Sequence, residues 1–198
     1  MNDPSSIFYS KISQLLNSRT PRKLEQHHEG RAAVLMPIFH KEKEDDHFFL
    51  LTQRTHTVET HKGQISFPGG VAETNEALSR TALRETWEEI GLPADKIEVL
   101  GGFDEYLSVT GLIVTPFVSR IDYPFILNPN PNEVEQILQV PLSLFRDESR
   151  LRVEIRRRFD CDFPVYFYNF QGRDIWGLTA QIIRDFMMLF DGDSGRSA

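Results

Sequence analysis

Three glutamates, Glu85, Glu88 and Glu89, have the spacing that gathers carboxylates on one side of a helix. If residues 76–90 form a helix and Glu85 is placed at zero, Glu89 lies at about +40° and Glu88 at about −60°. Carboxylates this close repel one another, and a cation would turn the repulsion into binding energy. Hard oxygen ligands of this kind suit Mg²⁺ or Mn²⁺. Three apolar residues fall on the opposite side of the helix, which we expect to face the core: Leu83, Trp87 and Ile90.

The residues around the glutamates complete a longer pattern. By themselves, three glutamates are more typical of an acidic, solvent-facing helix. The chain, however, contains the full pattern Gly-x5-Glu-x7-Arg-Glu-x2-Glu-Glu-x-Gly-Leu, which resembles the Nudix box, the signature of the Nudix hydrolases. Thr86 is a mild departure, because the pattern prefers an aliphatic residue there. The fixed positions are Gly70, Glu76, Arg84, Glu85, Glu88, Glu89, Gly91 and Leu92.

A second signature, LLTQRTHTVETHKGQISFPGG at residues 50–70, stands directly before the box. It resembles the segment that marks the coenzyme A pyrophosphatase branch of the Nudix hydrolases. Thr55 replaces a Ser or Ala of that segment, and Glu59 stands where it has Arg. The second departure exchanges a cation for an anion in a loop that we expect to help hold an anionic substrate. The matching residues are Leu50, Leu51, Thr52, Arg54, Gly63, Phe67, Pro68, Gly69 and Gly70.

The resemblance implies roles for individual residues. Glu85 and Glu89 are the first choice as metal ligands, with the backbone at Gly70 close to the metal, and Glu88 is a third ligand or the general base. Arg84 orients a glutamate by a charge-assisted hydrogen bond. The catalytic set is thus Glu88, Arg84 and Glu85, and the metal set is Glu85, Glu88, Glu89 and Gly70. The substrate-binding set is Arg54, Gly63, Phe67 and Lys62.

Several acidic and basic residues have open roles at this point. Glu76 holds the loop or binds a second ion. Three glutamates outside the box could supply a distal ligand or the base, although surface acids are more often bystanders: Glu105, Glu133 and Glu135. His56 and His61 are undecided between substrate contact and solvent, and His61 or Lys62 could partly compensate for Glu59.

The resemblance implies metal-dependent hydrolysis of the diphosphate bond of coenzyme A or its derivatives, with Mg²⁺ or Mn²⁺ as cofactor. The products would be 4′-phosphopantetheine, or its acyl form, and adenosine 3′,5′-bisphosphate. Glu59 keeps open an alternative substrate, another nucleoside diphosphate derivative such as ADP-ribose, NADH or a dinucleotide. A non-catalytic nucleotide-binding module is a third alternative, which the intact Arg84 and glutamates disfavour because a binding module has no need of them.

Composition limits the partners and the compartment. The formal charge of −7 argues against a general nucleic-acid binder and against a basic membrane-surface protein. Cys161 is the only cysteine, which excludes an internal disulfide and favours a reducing compartment. The N-terminus lacks the features of a secretory signal, and no apolar run approaches the ~18 residues that span a membrane. We therefore expect a cytoplasmic enzyme with a small nucleotide substrate, and a homodimer is left open.

The order of the predicted elements fits an α/β protein with a mixed sheet flanked by helices. The resemblance implies the Nudix fold, in which a mixed β-sheet is sandwiched between helices in three layers, α/β/α. Residues 31–190 are predicted to form one domain, with a helix and polar connection at 1–30 in the same unit and a polar tail at 191–198. We expect the box helix to begin near Asn75 as N-cap and to end at Gly91. The other predicted helices are 5–17, one turn at 141–146, and 176–190. The predicted strands are 31–40, 47–54, a short one before Gly70, 97–103, 112–122, and a hairpin over 150–158 and the DFPVYFYNF segment. The segment FILNPNPNEVEQILQVPL is predicted to hold a Pro/Asn-rich turn between short extended segments.

Overall fold

The computed structural model describes residues 4–25, 30–55, 63–158 and 161–194. The helices are α1 (Pro4–Asn17), α2 (Leu78–Ile90), α3 (Leu142–Arg146) and α4 (Leu178–Ser194). The first strands are β1 (Gly30–Lys41), β2 (Asp46–Arg54), β3 (Ile65–Ser66), β4 (Gly69–Val71) and β5 (Ile97–Gly102). The others are β6 (Tyr106–Leu107), β7 (Leu112–Ile121), β8 (Val134–Pro141), β9 (Leu151–Arg158), β10 (Cys161–Phe170) and β11 (Arg173–Trp176). The short strands β4, β6 and β11 are additions to the predicted set, and β8 corresponds to the extended segment predicted after the Pro/Asn-rich turn.

Eight strands form one mixed sheet. Its main order is β3-β2-β1-β7-β5, and β4, β6 and β8 pair with β1, β7 and β2 respectively. Strands β1 and β7 run parallel, and their other neighbours are antiparallel. Strands β11, β10 and β9 form a separate antiparallel sheet. The predicted mixed sheet flanked by helices is confirmed.

The central strand β1 serves both helical layers because alternate side chains leave a strand on opposite faces. Met36 and Ile38 lie in the main core with residues of α1 and α4, among them Ile12 and Phe186. Ala33 and Leu35 lie in a smaller cluster with Ala82 of α2. A strand covered on both faces must be apolar at consecutive positions, which explains the unbroken run in RAAVLMPIF.

Helix α2 differs from expectation in its start and in its orientation. Its N-cap is Ala77, and Asn75 lies two residues earlier with φ +62°. The end at Gly91 is as predicted: φ is +69°, and its N–H donates to the carbonyl of Trp87 at 2.9 Å. Trp87, expected in the core, is 55% exposed. The buried residues of the helix are Thr81, Ala82, Thr86, Glu89 and Ile90.

The buried strip of α2 is thus rotated by roughly a quarter turn from the one that apolar residues alone predict. Small side chains at Ala82 and Thr86 let the helix lie close to the sheet. The Thr86 hydroxyl is satisfied within the helix, because it donates to the carbonyl of Ala82 at 2.7 Å. This rotation carries Glu89 into the interior.

No helix in the described ranges is long and apolar enough to cross a membrane. Helix α1 contributes Tyr9, Ile12 and Leu16 to the main core, so the N-terminal helix packs on the same sheet as the rest of the chain. The division into a unit at 31–190 with a polar tail stays a prediction.

One titratable side chain lies between α1 and the sheet. The His47 ring stacks on Phe8 with centroids 3.6 Å apart, and the His40 ring lies 4.7 Å away. Nε2 of His47 is buried without a hydrogen-bond partner among the described residues. Burial, reinforced by His40, lowers the pKa of His47 from 6.5 to about 4. The folded protein therefore holds this imidazole neutral where the unfolded chain binds a proton.

We predict that His47 makes the fold acid-sensitive. Because the folded pKa lies below the unfolded one, this contribution to stability is present above pH 6.5 and is lost as the pH falls towards 4. Between pH 7 and pH 5, wild type should lose about 1 kcal/mol more unfolding free energy than His47→Phe, after allowance for partial solvent exposure. Urea titrations of both proteins at both pH values measure the difference, and parallel losses would contradict the prediction.

Candidate active site

Two consecutive glycines bring the backbone of β4 against helix α2. Gly69 and Gly70 pair with Val34 and Ala33 of β1. A Cβ at Gly69, where φ is +155°, would overlap the carbonyl oxygen of Ala33 and the backbone of Val34. A Cβ at Gly70 would overlap the carboxylate of Glu85. The first glycine is therefore required by the backbone, and the second leaves room for a carboxylate.

Arg84 holds the acidic side chains of this region together. Its Nε and Nη2 donate to Glu76 at 2.9 and 3.0 Å, and Nη2 also donates to the carbonyl of Val71 at 3.2 Å. Its Nη1 donates to Glu85 at 2.8 Å and to Glu88 at 3.0 Å. The hydrogen bonds from Arg84 lower the pKa of Glu76 to about 2. Glu76 in turn accepts from the Thr81 hydroxyl at 2.8 Å, so it ties the loop before α2 to the helix.

The box glutamates differ in exposure. The Glu88 side chain is 50% exposed and the Glu85 side chain 17%. Burial raises the pKa of Glu85 even though Arg84 opposes the shift. The geometry thus agrees with an orienting role for Arg84, and it leaves Glu88 as the glutamate that reaches solvent.

Glu89 is the buried member of the set, with 3% of its surface exposed. Its Oε1 lies 3.6 Å from Nη1 of Arg54, and its Oε2 has no hydrogen-bond partner among the described residues. Burial raises its pKa to about 8, with further upward contributions from the charges of Glu133 and Glu85, although Arg54 and the amide of Gly69 act in the opposite direction. A buried carboxylate with an unpartnered oxygen is costly unless a cation or proton joins it.

The segment before β8 is fastened to the end of α2. The amides of Asn128 and Asn130 both donate at 2.8 Å, to the carbonyls of Ile90 and Glu89. The Asn130 side chain then donates to Glu133 at 2.9 Å. The charge of Glu133 raises the pKa of both Glu85 and Glu89, so it is a fourth carboxylate of the site. The sequence offered Glu133 only as one of three open acids, since its spacing from the box carries no signal.

The residues predicted to bind substrate lie in different surroundings. Arg54 faces Glu89, and Gly63, with φ +67°, turns the chain and accepts from the Gln53 side chain at 3.4 Å. Phe67 is corrected: it is 3% exposed and packs on Phe49, so its side chain belongs to the main core. Lys62 lies outside the described residues, as do His56, Glu59 and His61.

Glu105, one of the open acids, has a structural position. It is fully buried, accepts from the amide of Leu24 at 2.7 Å, and pairs with Arg31 and Lys23. Burial alone would raise its pKa, but these partners together hold the pKa below its ordinary value. Glu105 therefore fastens the N-terminal segment to the sheet.

The donor set fits a divalent cation in part. Among the described residues, no three histidine, cysteine or acidic side chains converge as a ready ligand group, because arginines hold the carboxylates. Two observations nevertheless fit a hard cation: the buried, unpartnered Oε2 of Glu89, and the gap at Gly70 that admits the Glu85 carboxylate. Carboxylate oxygens are the ligands that Mg²⁺ and Mn²⁺ prefer.

A mixed sheet between helices, with a glycine pair facing a glutamate-rich helix, agrees with the Nudix hydrolase class that the box predicts. Residues 29–159 match the family described as the NUDIX domain. A protein of Photorhabdus laumondii, named as the uncharacterized Nudix hydrolase NudL, is 41% identical over 165 residues, covering 82% of this chain and 86% of that one. A NudL protein of Pectobacterium atrosepticum is 36% identical over 159 residues, covering 79% and 81%.

Solved structures agree with the fold. A Nudix hydrolase of M. smegmatis, RenU, superposes with a TM-score of 0.51 at 23% identity, covering 60% of this chain and 74% of that one. A MutT protein of Methanosarcina mazei superposes with a TM-score of 0.52 at 20% identity, covering 87% and 99%. The chain belongs to the Nudix family. It is a Nudix pyrophosphohydrolase, which acts on a nucleoside diphosphate derivative, and enzymes of this family generally use a divalent metal ion.

The two glycines yield a matched prediction. Gly69→Ala forces a methyl group into backbone atoms at a φ that alanine avoids, so it should cost at least ~2 kcal/mol of unfolding free energy. Gly70→Ala meets only the movable end of Glu85, so stability should change little, while kcat/KM falls on the order of a hundredfold.

Urea unfolding and steady-state kinetics on the two variants separate these outcomes. Gly192→Ala, whose added Cβ meets nothing within 4 Å, is the control for both measurements. Full activity in Gly70→Ala would show that the approach of Glu85 to β4 is not needed for turnover.

Proposed function

We propose that this enzyme hydrolyses the diphosphate of coenzyme A or a coenzyme A derivative. The observation that supports this most directly is the contact between the two signatures: Arg54 of the LLTQR segment lies 3.6 Å from Glu89 of the box. A segment typical of the coenzyme A branch thus stands at the carboxylate that would meet a metal ion. The products would be 4′-phosphopantetheine, or its acyl form, and adenosine 3′,5′-bisphosphate.

The proposed ligand set for Mg²⁺ or Mn²⁺ is Glu85 and Glu89 with the backbone at Gly70, and Glu88 is either a third ligand or the base. When bound, the ion would neutralise phosphoryl oxygens and make water a better nucleophile. Arg84 fixes the rotamers of Glu85 and Glu88 by direct hydrogen bonds, so these carboxylates need little reorganisation before reaction. Glu76 keeps Arg84 in place from the loop side.

Hydrolysis of the diphosphate requires one group that accepts a proton from the attacking water. The oxygen of a water molecule attacks one phosphorus, the bridging P–O bond breaks, and the leaving phosphate departs with the bonding electrons. The attacking water gives its proton to a carboxylate. We assign this to Glu88 because it is half exposed and has one oxygen held by Arg84 at 3.0 Å. Glu133, hydrogen-bonded to Asn130, is the alternative base.

Glu88→Gln and Glu89→Gln are each expected to lower metal-dependent kcat/KM by at least ~100-fold while the fold is kept. The first removes the proposed base, and the second removes the buried ligand charge. Glu98→Gln, at a 64% exposed side chain on β5, is the matched control and should keep wild-type rates. Near-wild-type turnover in both test variants would remove helix α2 from the chemistry.

A second substrate class is another nucleoside diphosphate derivative, such as ADP-ribose, NADH or a dinucleotide. Glu59 favours it, because an anion replaces the expected cation in the loop of the branch signature. Rates with coenzyme A, acyl-coenzyme A, ADP-ribose and NADH, compared as kcat/KM with Mg²⁺ and with Mn²⁺, decide between the two. We expect coenzyme A or its acyl form to exceed the other two by at least about tenfold. A preference for ADP-ribose or NADH would overturn the proposal.

The cytoplasmic location and the absence of nucleic-acid and membrane partners stay predictions, and a homodimer stays open.

A further inference from the structure

We propose that Arg54 is an exchangeable counter-ion: it neutralises Glu89 while no metal is bound, and it receives a phosphate oxygen of the substrate once a divalent cation takes its place. This inference deepens the proposed function and rests on it. It assigns to one side chain the coupling between metal binding and binding of the diphosphate.

The backbone aims Arg54 at helix α2. The ladder between β2 and β8 shifts register between Gln53 and Arg54, an irregularity that re-aims the side chain at the end of the strand. The amide of Arg54 donates to the carbonyl of Gln64 at 2.9 Å, and the next amide, of Thr55, donates to the carbonyl of Glu133 at 3.0 Å. The base of Arg54 is therefore fixed on both sides, while its guanidinium extends towards Glu89.

The ion pair that results is incomplete. Nη1 of Arg54 and Oε1 of Glu89 stand 3.6 Å apart, which is within ion-pair range but beyond a normal hydrogen bond. Nε of Arg54 and Oε2 of Glu89 are both buried and without hydrogen-bond partners among the described residues. Arg84, by contrast, makes five hydrogen bonds of 2.8–3.2 Å to Glu76, Glu85, Glu88 and Val71.

The two arginines thus differ in what they can release. Displacing Arg84 would break several good hydrogen bonds. Displacing Arg54 breaks a long ion pair and leaves a cation whose planar group suits an anionic phosphate. Arg54 is also 27% exposed in its side chain, whereas Glu89 is 4% exposed, so the arginine can turn outwards while the glutamate stays.

This exchange predicts opposite effects on two ligands when the charge of Arg54 is removed. Arg54→Gln should bind Mn²⁺ on the order of tenfold more tightly, because a cation competing for Glu89 is gone. With saturating Mn²⁺, the same variant should bind α,β-methylene-ADP about tenfold more weakly, because a charged donor to phosphate is gone. Arg54→Lys, which keeps the charge but not the fork, should lie between wild type and Arg54→Gln for both ligands.

The two affinities are measured without turnover, by the electron paramagnetic resonance signal of free Mn²⁺ and by calorimetry with the methylene analogue. The control is Arg80→Gln, which removes one positive charge from an exposed position in the first turn of α2 and should leave both affinities within about twofold. Urea unfolding checks that each variant is folded.

The outcomes separate this inference from the proposed function. If wild type binds no Mn²⁺, the proposed metal-dependent hydrolysis itself fails. If wild type binds Mn²⁺ but Arg54→Gln weakens the affinity for Mn²⁺ or leaves it unchanged, the counter-ion exchange is wrong while the hydrolase proposal stands. If Arg54→Gln binds Mn²⁺ more tightly but binds the methylene analogue as wild type does, the proposed contact between Arg54 and phosphate is overturned.

Discussion

The structure depends above all on the repulsion among crowded carboxylates. Two arginines offset this repulsion. Glu85, Glu88 and Glu89 occupy neighbouring positions of one helix, and Glu133 adds a fourth negative charge. Without cations, such a set would drive the helix away from the sheet or force protonation. Arg84 offsets the charge of Glu85, and Arg54 offsets that of Glu89. Burial of Glu89 leaves a carboxylate whose charge a metal ion would neutralise further.

Several contacts of the surrounding fold keep these charged side chains close together. Ala82 and Thr86 are small enough for α2 to lie on β1, and Gly70 leaves the Glu85 carboxylate room beside β4. The segment before β8 then closes the end of the helix through the amides of Asn128 and Asn130. At Gly70 the constraint is direct, because an added Cβ would overlap the Glu85 carboxylate.

The local sequence pattern predicts most helices and strands, but it does not predict which side of helix α2 is buried. The continuous apolar run of β1 and the glycine stop at Gly91 are local properties, so the sequence predicts them well. The exposure of Trp87 and the burial of Glu89 depend on how α2 packs on the sheet, and apolar periodicity gives the wrong side when the functional glutamate is itself buried. For the same reason Phe67, part of a substrate signature, turned out to be core, and Glu105 a buried anchor for the N-terminal segment.

The distribution of cations explains why one helix can combine rigidity with exchange. Arg84 belongs to the helix, uses nearly all its donors, and therefore acts as a fixed part of the scaffold. Arg54 comes from a strand end and faces Glu89. Within the described part of the chain, its Nε and the buried Oε2 of Glu89 have no hydrogen-bond partner. A site built with two fixed arginines would resist a metal ion, and a site with none would not hold its carboxylates together. One fixed and one releasable cation satisfy both requirements.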